Sequence, residues 1–173
     1  MKAQELMTPS PACCTPEDTV QDAARLMQEC DCGLIPVVED RESHRIVGTI
    51  TDRDIAVRAA ARGMGPDTRV RDVMSTNPSY TSVDAEVSEV ERIMSDRQVR
   101  RVPVVDGDRR VVGIIAQADL ARAVSRSPQV SEREVHRVVE RISQPSESSG
   151  SRGAGRSAER STERGSERDQ PRL

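Results

Sequence analysis

The apolar residues of this chain follow two periods. At Val20, Ala23, Ala24 and Met27, and again at Val87, Val90, Ile93 and Met94, they recur three and four positions apart, which is one face of a helix. Each set is preceded by a polar start, Thr15–Val20 or Ser82–Val87, with a hydroxyl residue near the cap and acids in the first turn. Each is followed by a short β-branched run, Ile35–Val38 or Val102–Val105. A polar hairpin comes next, Glu39–Arg45 or Asp106–Arg110, the latter with Asp106-Gly107 at its turn. A second apolar run follows, Ile46–Ile50 or Val111–Ile115, and a second helix begins at Asp52 or Gln117. With a strand ahead of the first helix, the unit predicted is β-α-β-β-α, of the α/β (α+β) class, and it occurs twice.

The two copies superpose in sequence. Met7, Pro11, Val20 and Met27 meet Met74, Pro78, Val87 and Met94 at a spacing of 67 residues. Past the shorter second hairpin the spacing falls to 65, so that Val47-Gly48 meets Val112-Gly113 and Asp54 meets Asp119. We place the repeats at residues 3–63 and 70–126. A unit of about 60 residues buries little surface alone, so the expectation is a pseudo-symmetric pair packed sheet to sheet, with a cleft near the pseudo-two-fold axis where ligands tend to sit. Ser131–Glu134 has capping-box spacing, and Val135, Val138, Val139 and Ile142 form an apolar stripe, so a short amphipathic helix is expected over 130–142. Residues 143–173 are rich in Ser, Gly, Arg and Glu. Arg152, Arg156, Arg160, Arg164, Arg168 and Arg172 recur every four positions, yet the Ser and Gly content and the balancing acids favour a disordered tail.

Composition narrows the function. The 173 residues carry a formal charge of −3, with 32% charged residues, no Trp or Phe and a single tyrosine, Tyr80. That argues against nucleic-acid binding by bulk positive charge or by base stacking. No run approaches the ~20 apolar residues of a membrane span, and the N-terminus lacks a signal-peptide core. A cytoplasmic location is expected, with Cys13, Cys14, Cys30 and Cys32 reduced.

The segment Gly48-Thr49-Ile50-Thr51-Asp52-Arg53-Asp54 joins a strand end to a helix start. Helix N-terminal N–H groups favour anions there, Thr51 can donate to a phosphate, Arg53 can pair with one, and Asp54 lies one turn on, where a carboxylate can accept from ribose hydroxyls. A plainer reading has Thr51 capping the helix and Asp54 favouring its first turn. Recurrence of the frame at Gly113–Asp119 weighs toward a ligand. Arg100 and Arg101, just before the second Val-Pro-Val run, are either phosphate contacts or an exposed basic rim. The cysteines lack the spacing of a structural zinc site, so no metal is expected, and no nucleophile–base–acid set is readable, so no catalytic residue is assigned.

The Ile35-Pro36-Val37 and Val102-Pro103-Val104 strands, the two Gly-to-Asp segments, and the openings Leu6-Met7-Thr8-Pro9 and Val73-Met74-Ser75 resemble CBS (cystathionine-β-synthase) domains. Paired copies form a Bateman module, and the small stand-alone bacterial CBS pairs look nearest. The resemblance implies a non-enzymatic regulatory module with no required cofactor. It implies an adenosyl ligand (AMP, ADP, ATP or S-adenosylmethionine) in clefts between the copies, homodimerisation through helices, and a partner protein or the dimer geometry as output. Carried over, Thr51, Arg53 and Asp54 serve one site, with backbone near Cys13, Cys14, Ile35, Pro36 and Val37 against adenine. Asp119 serves the other, with Tyr80, Thr81, Val102, Pro103 and Val104. Ala116 stands at the hydroxyl position of the second copy and Ala118 where the first has Arg53, so the sequence favours the Thr51–Asp54 site as the competent one. The alternatives are a ligand-independent scaffold acting through its Arg-rich tail, and a cysteine-based redox or metal sensor.

Overall fold

The computed structural model describes residues 1–125 and 130–144. The expected disordered tail lies outside them, apart from its first two residues. The first repeat contains α2 (Val20–Glu29), β2 (Leu34–Val38), β3 (Ile46–Thr51) and α3 (Asp52–Asp54), ahead of which stand a short helix α1 (Ala3–Leu6) and a two-residue strand β1 (Thr8–Pro9). The α3 turn continues as a π-helical turn, Ile55–Ala59, and a 3₁₀ turn, Ala60–Arg62. The second repeat contains β4 (Thr81–Ser82), α4 (Val87–Arg97), β5 (Arg101–Val105), β6 (Val111–Ala116) and α5 (Gln117–Val124). A final helix, α6, spans Glu132–Ser143.

The strands lie where the β-branched runs put them, within a residue or so. Both hairpins are antiparallel, β2 with β3 and β5 with β6. The central strands have the continuous apolar burial expected of strands covered on both faces: all five residues of β2 are buried, as are four of the five in β5.

The pairing between repeats is less obvious. β1, from the start of the chain, joins the second repeat's β6. Reciprocally, Ser75 bridges Thr49 on the first repeat's β3. Each copy then returns to its own sheet: Cys14 bridges Val37, and Thr81 of β4 pairs in parallel with Val104 of β5. The repeats are therefore laced together by exchanged leading segments. The exchange explains two glycines. A Cβ on Gly48 would lie 2.7 Å from the Ser75 carbonyl oxygen, and one on Gly113 would overlap the Met7 thioether.

At the pseudo-axis, Val38, Ile46, Val105 and Val111 make a joint core with Cys13 and Tyr80 against it. Here the Ile46 N–H donates to the Arg109 carbonyl (3.0 Å) and the Val111 N–H to the His44 carbonyl (2.9 Å). His44 and Arg109, equivalent in the two copies, both adopt left-handed backbone at φ 50° and 62°.

The larger core belongs to the second repeat. It unites Val90, Met94, Val102, Ile115 and Leu120 with Ala3 of α1 and Val135, Val138 and Ile142 of α6. The first repeat's core is built on Cys14, Met27, Ile35, Val37, Ile50 and Val70. One helical position departs from the sequence pattern. Ala24 is exposed, because among the described residues α2 has no counterpart of α6 packed on it.

Candidate ligand-binding site

Thr51 ends β3 and is the N-cap of α3. Its Oγ1 donates to Asp54 Oδ2 (2.7 Å), its backbone N–H donates to the same oxygen (3.0 Å), and the Asp54 N–H donates back to Oγ1 (3.0 Å). This is a reciprocal capping box. The other carboxylate oxygen faces Arg58 Nε at 3.4 Å. Arg58 also donates to the carbonyls of Val73 (2.9 Å) and Met74 (3.1 Å) and to Ser75 Oγ (3.3 Å). Thr51 and Asp54 thus bond chiefly to each other, and Arg58 links Asp54 to the exchanged segment.

In the second copy the frame is looser. Ala116 has no hydroxyl, so among the described residues Asp119 receives the Ala116 N–H (2.7 Å) and the exposed Arg122 Nη2 (2.5 Å). Ala123 stands where the first repeat has Arg58. Asp119 is 8% exposed and faces a cleft of about 400 Å³ lined by Thr8–Ala12, Cys30–Cys32, Leu34, Ile35, Arg101, Ile114, Ala116 and Arg122. That volume is within the range of small-molecule sites, roughly 300–1,000 Å³. The fold therefore regroups the sequence-derived residues. Asp119 shares its cleft with Ile35 and the stretch before Cys13 from the first repeat, not with Tyr80, Thr81, Val102 and Val104. The physical reason is the strand exchange, which brings Thr8–Pro9 beside β6. Pro36, Val37, Val102, Pro103 and Val104 are buried within their strands. Tyr80 lies under Arg109, 5.3 Å from its ring centre, and lines a separate cleft with Asn77–Ser79, Arg92, Asp96 and Arg97.

A third cleft, about 630 Å³, lies on the seam between repeats. It gathers Gly33, Leu34, Thr51, Asp52 and Arg53 from the first copy, Gln98–Arg101 from the second, and Ile142 and Gln144 from α6. Leu34 and Arg101 line both this cleft and that of Asp119, so the two adjoin.

All four cysteines are free thiols. Burial pushes Cys13 up to about 11, and burial followed by the neighbouring Asp18 and Cys13 pushes Cys14 up to about 12. Both therefore stay protonated and unreactive at neutral pH. Burial also raises Cys32. Among the described residues no group of three or more His, Cys, Asp or Glu side chains is placed to hold a metal, and no helix is long and apolar enough to cross a membrane.

The CBS-domain family model matches residues 3–60 and 70–126. This chain belongs to the CBS-domain family. It is a tandem CBS pair, similar to the CBS domain-containing protein YhcV of Bacillus subtilis, with 36% identity over 77% of this chain and 97% of that one. It is also similar to hypoxic response protein 1 of Mycobacterium tuberculosis, with 35% identity over 69% of this chain and 82% of that one. Among solved structures, a hypoxic response protein I holding two coordinated zinc ions superposes with a TM-score of 0.64 and 34% identity, over 70% of this chain and 98% of that one. The CBS pair of protein MJ0100, in complex with 5′-methylthioadenosine and S-adenosyl-L-methionine, superposes at 0.64 with 28% identity, over 72% and 96%. The exchange of leading segments and the Arg58 link are the features that sequence reasoning missed. The one signal for the exchange was the recurrence of Met7 and Met74 with Gly113 and Gly48, which the fold sets side by side.

Proposed function

We propose that this CBS pair is a non-enzymatic regulatory module that binds an adenosyl ligand in the Asp119 cleft. The observation that carries the reading is a nearly buried carboxylate of the second repeat facing open backbone of the first across a cleft of nucleoside size. In this reading Asp119 accepts from the ribose hydroxyls as Arg122 swings off it. The backbone of Pro9–Ala12 and Ile35 holds the adenine, and Arg101 and Arg122 replace the phosphate donor that Ala116 cannot supply. The adenosyl complex of the MJ0100 pair supports the ligand class. Thr51 and Asp54, which the sequence favoured, serve first as a helix cap. Because the ligand touches both repeats, it can shift their relative geometry to the extent that it binds one arrangement better.

The output we infer is a cytoplasmic homodimer or a partner protein. The exposed Val57 and Met64 on the uncovered helical side of the first repeat support a dimer contact there. Sedimentation of Val57→Asp should then show monomer, and an unchanged dimer would remove that contact.

The test of the ligand reading is calorimetric titration with AMP, ADP, ATP and S-adenosylmethionine. Losing a charge-assisted hydrogen bond costs about 1.5–3 kcal/mol, so Asp119→Ala should weaken binding by roughly 10- to 100-fold. Asp54→Ala should leave affinity within about threefold, since its carboxylate is held by Thr51 and Arg58 and no lost ligand contact enters the sum. The reverse pattern would move the site to the first repeat. No binding of any adenosyl compound would end the ligand reading.

A further inference from the structure

α6 lies outside both matched repeats, yet its last turn reaches the seam between them. Ile142 and Gln144 line the cleft that also holds Arg53, Arg100 and Arg101. The contact has a specific latch. Gln98, the left-handed C-cap of α4 at φ 51°, donates from Nε2 to the carbonyl oxygens of Arg141 (3.2 Å) and Gln144 (3.5 Å). The Arg141 carbonyl also accepts the Gln144 N–H at 3.4 Å, so Gln98 adds a second donor at the C-terminal end of α6. The chain that carries the latch runs directly through Val99 into Arg100 and Arg101, and the Arg100 carbonyl accepts the N–H of Gln117 at the start of α5 (2.9 Å).

The charges explain what the latch does. Arg53, Arg100 and Arg101 line the cleft with a single acidic residue, Asp52, and among the described residues none of the three arginines forms a salt bridge. Converging cations raise the local potential and favour an anion. The C-terminus of α6, the negative pole of that helix, and the apolar Ile142 stand at the wall of the same cleft. An anion entering the cleft would neutralise the arginines and oppose that pole.

We propose that the arginine cleft is a site for an oligophosphate group, and that its occupation releases α6. Resting on the reading above, a nucleoside held at Asp119 directs its phosphates past Arg101, which lines both clefts, into the arginine cleft. The bound phosphate chain and the docked helix then exclude one another, and the freed α6, with the chain that follows it, is the signal.

Hydrogen exchange of residues 132–143 in the full chain tests this, with ATP, tripolyphosphate and adenosine as separate probes. For an anion that binds only the undocked form, the open population grows by 1 + [L]/Kd, so ten times Kd should speed α6 exchange about tenfold. ATP should do this and adenosine should not. Arg100→Ala and Arg101→Ala should each abolish the acceleration, and Gln98→Ala should speed exchange without any ligand. ATP that binds while α6 exchange stays constant or slows overturns the release and leaves the ligand reading standing. Acceleration by tripolyphosphate in a chain that binds no adenosyl compound sinks the ligand reading and keeps the release. No acceleration by any probe overturns it.

Discussion

At the end of β3, Thr51 and Asp54 close on each other and Arg58 pairs with the other carboxylate oxygen; at the end of β6, Asp119 has one backbone donor and one exposed arginine among the described residues. The same frame, repeated within one chain, is a finished helix cap in one copy and an acid facing an open cleft in the other. A hydroxyl that looks like a ligand donor can thus mark a site already satisfied from within, and its absence can leave the neighbouring acid available. The repeats differ again on their outer faces. α6 covers α4 and α5, whereas among the described residues α2 and α3 carry no such cover. At equivalent positions of the two first helices, Ala24 is exposed and Glu91 is buried.

Core truncation tests that difference most strongly. Ile50 and Ile115 are equivalent and both fully buried, one in each repeat's cluster. Each change to Ala should cost about 2–5 kcal/mol in urea unfolding. Only Ile115→Ala should also speed exchange in α6, because only its cluster includes that helix. Equal loosening of α6 by Ile50→Ala would show that the two cores act as one.

The exchanged segments come next. Gly48→Ala sets a Cβ against the Ser75 carbonyl oxygen, which is backbone and bridged to Thr49; Gly113→Ala sets one against the flexible Met7 side chain. Overpacking costs about 1–3 kcal/mol. We expect Gly48→Ala near the top of that range and Gly113→Ala near the bottom, measured by thermal melting. The opposite order would mean that Met7 is held more rigidly than the backbone at Ser75.

Local features were readable from the chain because local periodicity and turn chemistry dictate them. The β-branched runs became β2, β3, β5 and β6, and helices begin at Asp52 and Gln117 as the polar starts indicate. What escaped was long-range. Nothing in the spacing of Thr8 and Pro9 says that they leave their own repeat for β6, and this pairing decides which backbone faces Asp119. The exposure of Ala24 escaped for a related reason. The apolar stripe of a helix tells which residues tolerate burial, and a neighbour such as α6 decides which are buried. Glu91, polar in sequence and buried in the fold, is the mirror case.

Exchanging the caps is the third test. Thr51→Ala removes a side-chain cap and should cost about 0.5–2 kcal/mol. Ala116→Thr should recover part of that in the second repeat and, by engaging Asp119 as Thr51 engages Asp54, weaken adenosyl binding. A stabilised Ala116→Thr protein that binds as tightly as the parent would break the link between capping and site closure.

The smallest effect is a pH dependence at Glu91. Its carboxyl is buried, and Oε1 has no hydrogen-bond partner among the described residues. Burial raises its pKa above the usual carboxylate value, with Glu134 of α6 as the second cause. The folded chain therefore holds this proton more tightly than the unfolded chain does. The stability tied to the protonated form is fully present below the unfolded carboxyl value, about 4.3, and is lost as pH rises through the raised folded value. At neutral pH Glu91→Gln should raise the urea midpoint by less than the cap exchange moves it, and the gain should shrink toward zero as pH falls below the ordinary carboxylate range. Ala24→Glu in the first repeat, where no helix covers the position, should show no such pH-dependent loss. A similar loss there would mean that the pH response comes from the helix itself and not from the cover that α6 provides.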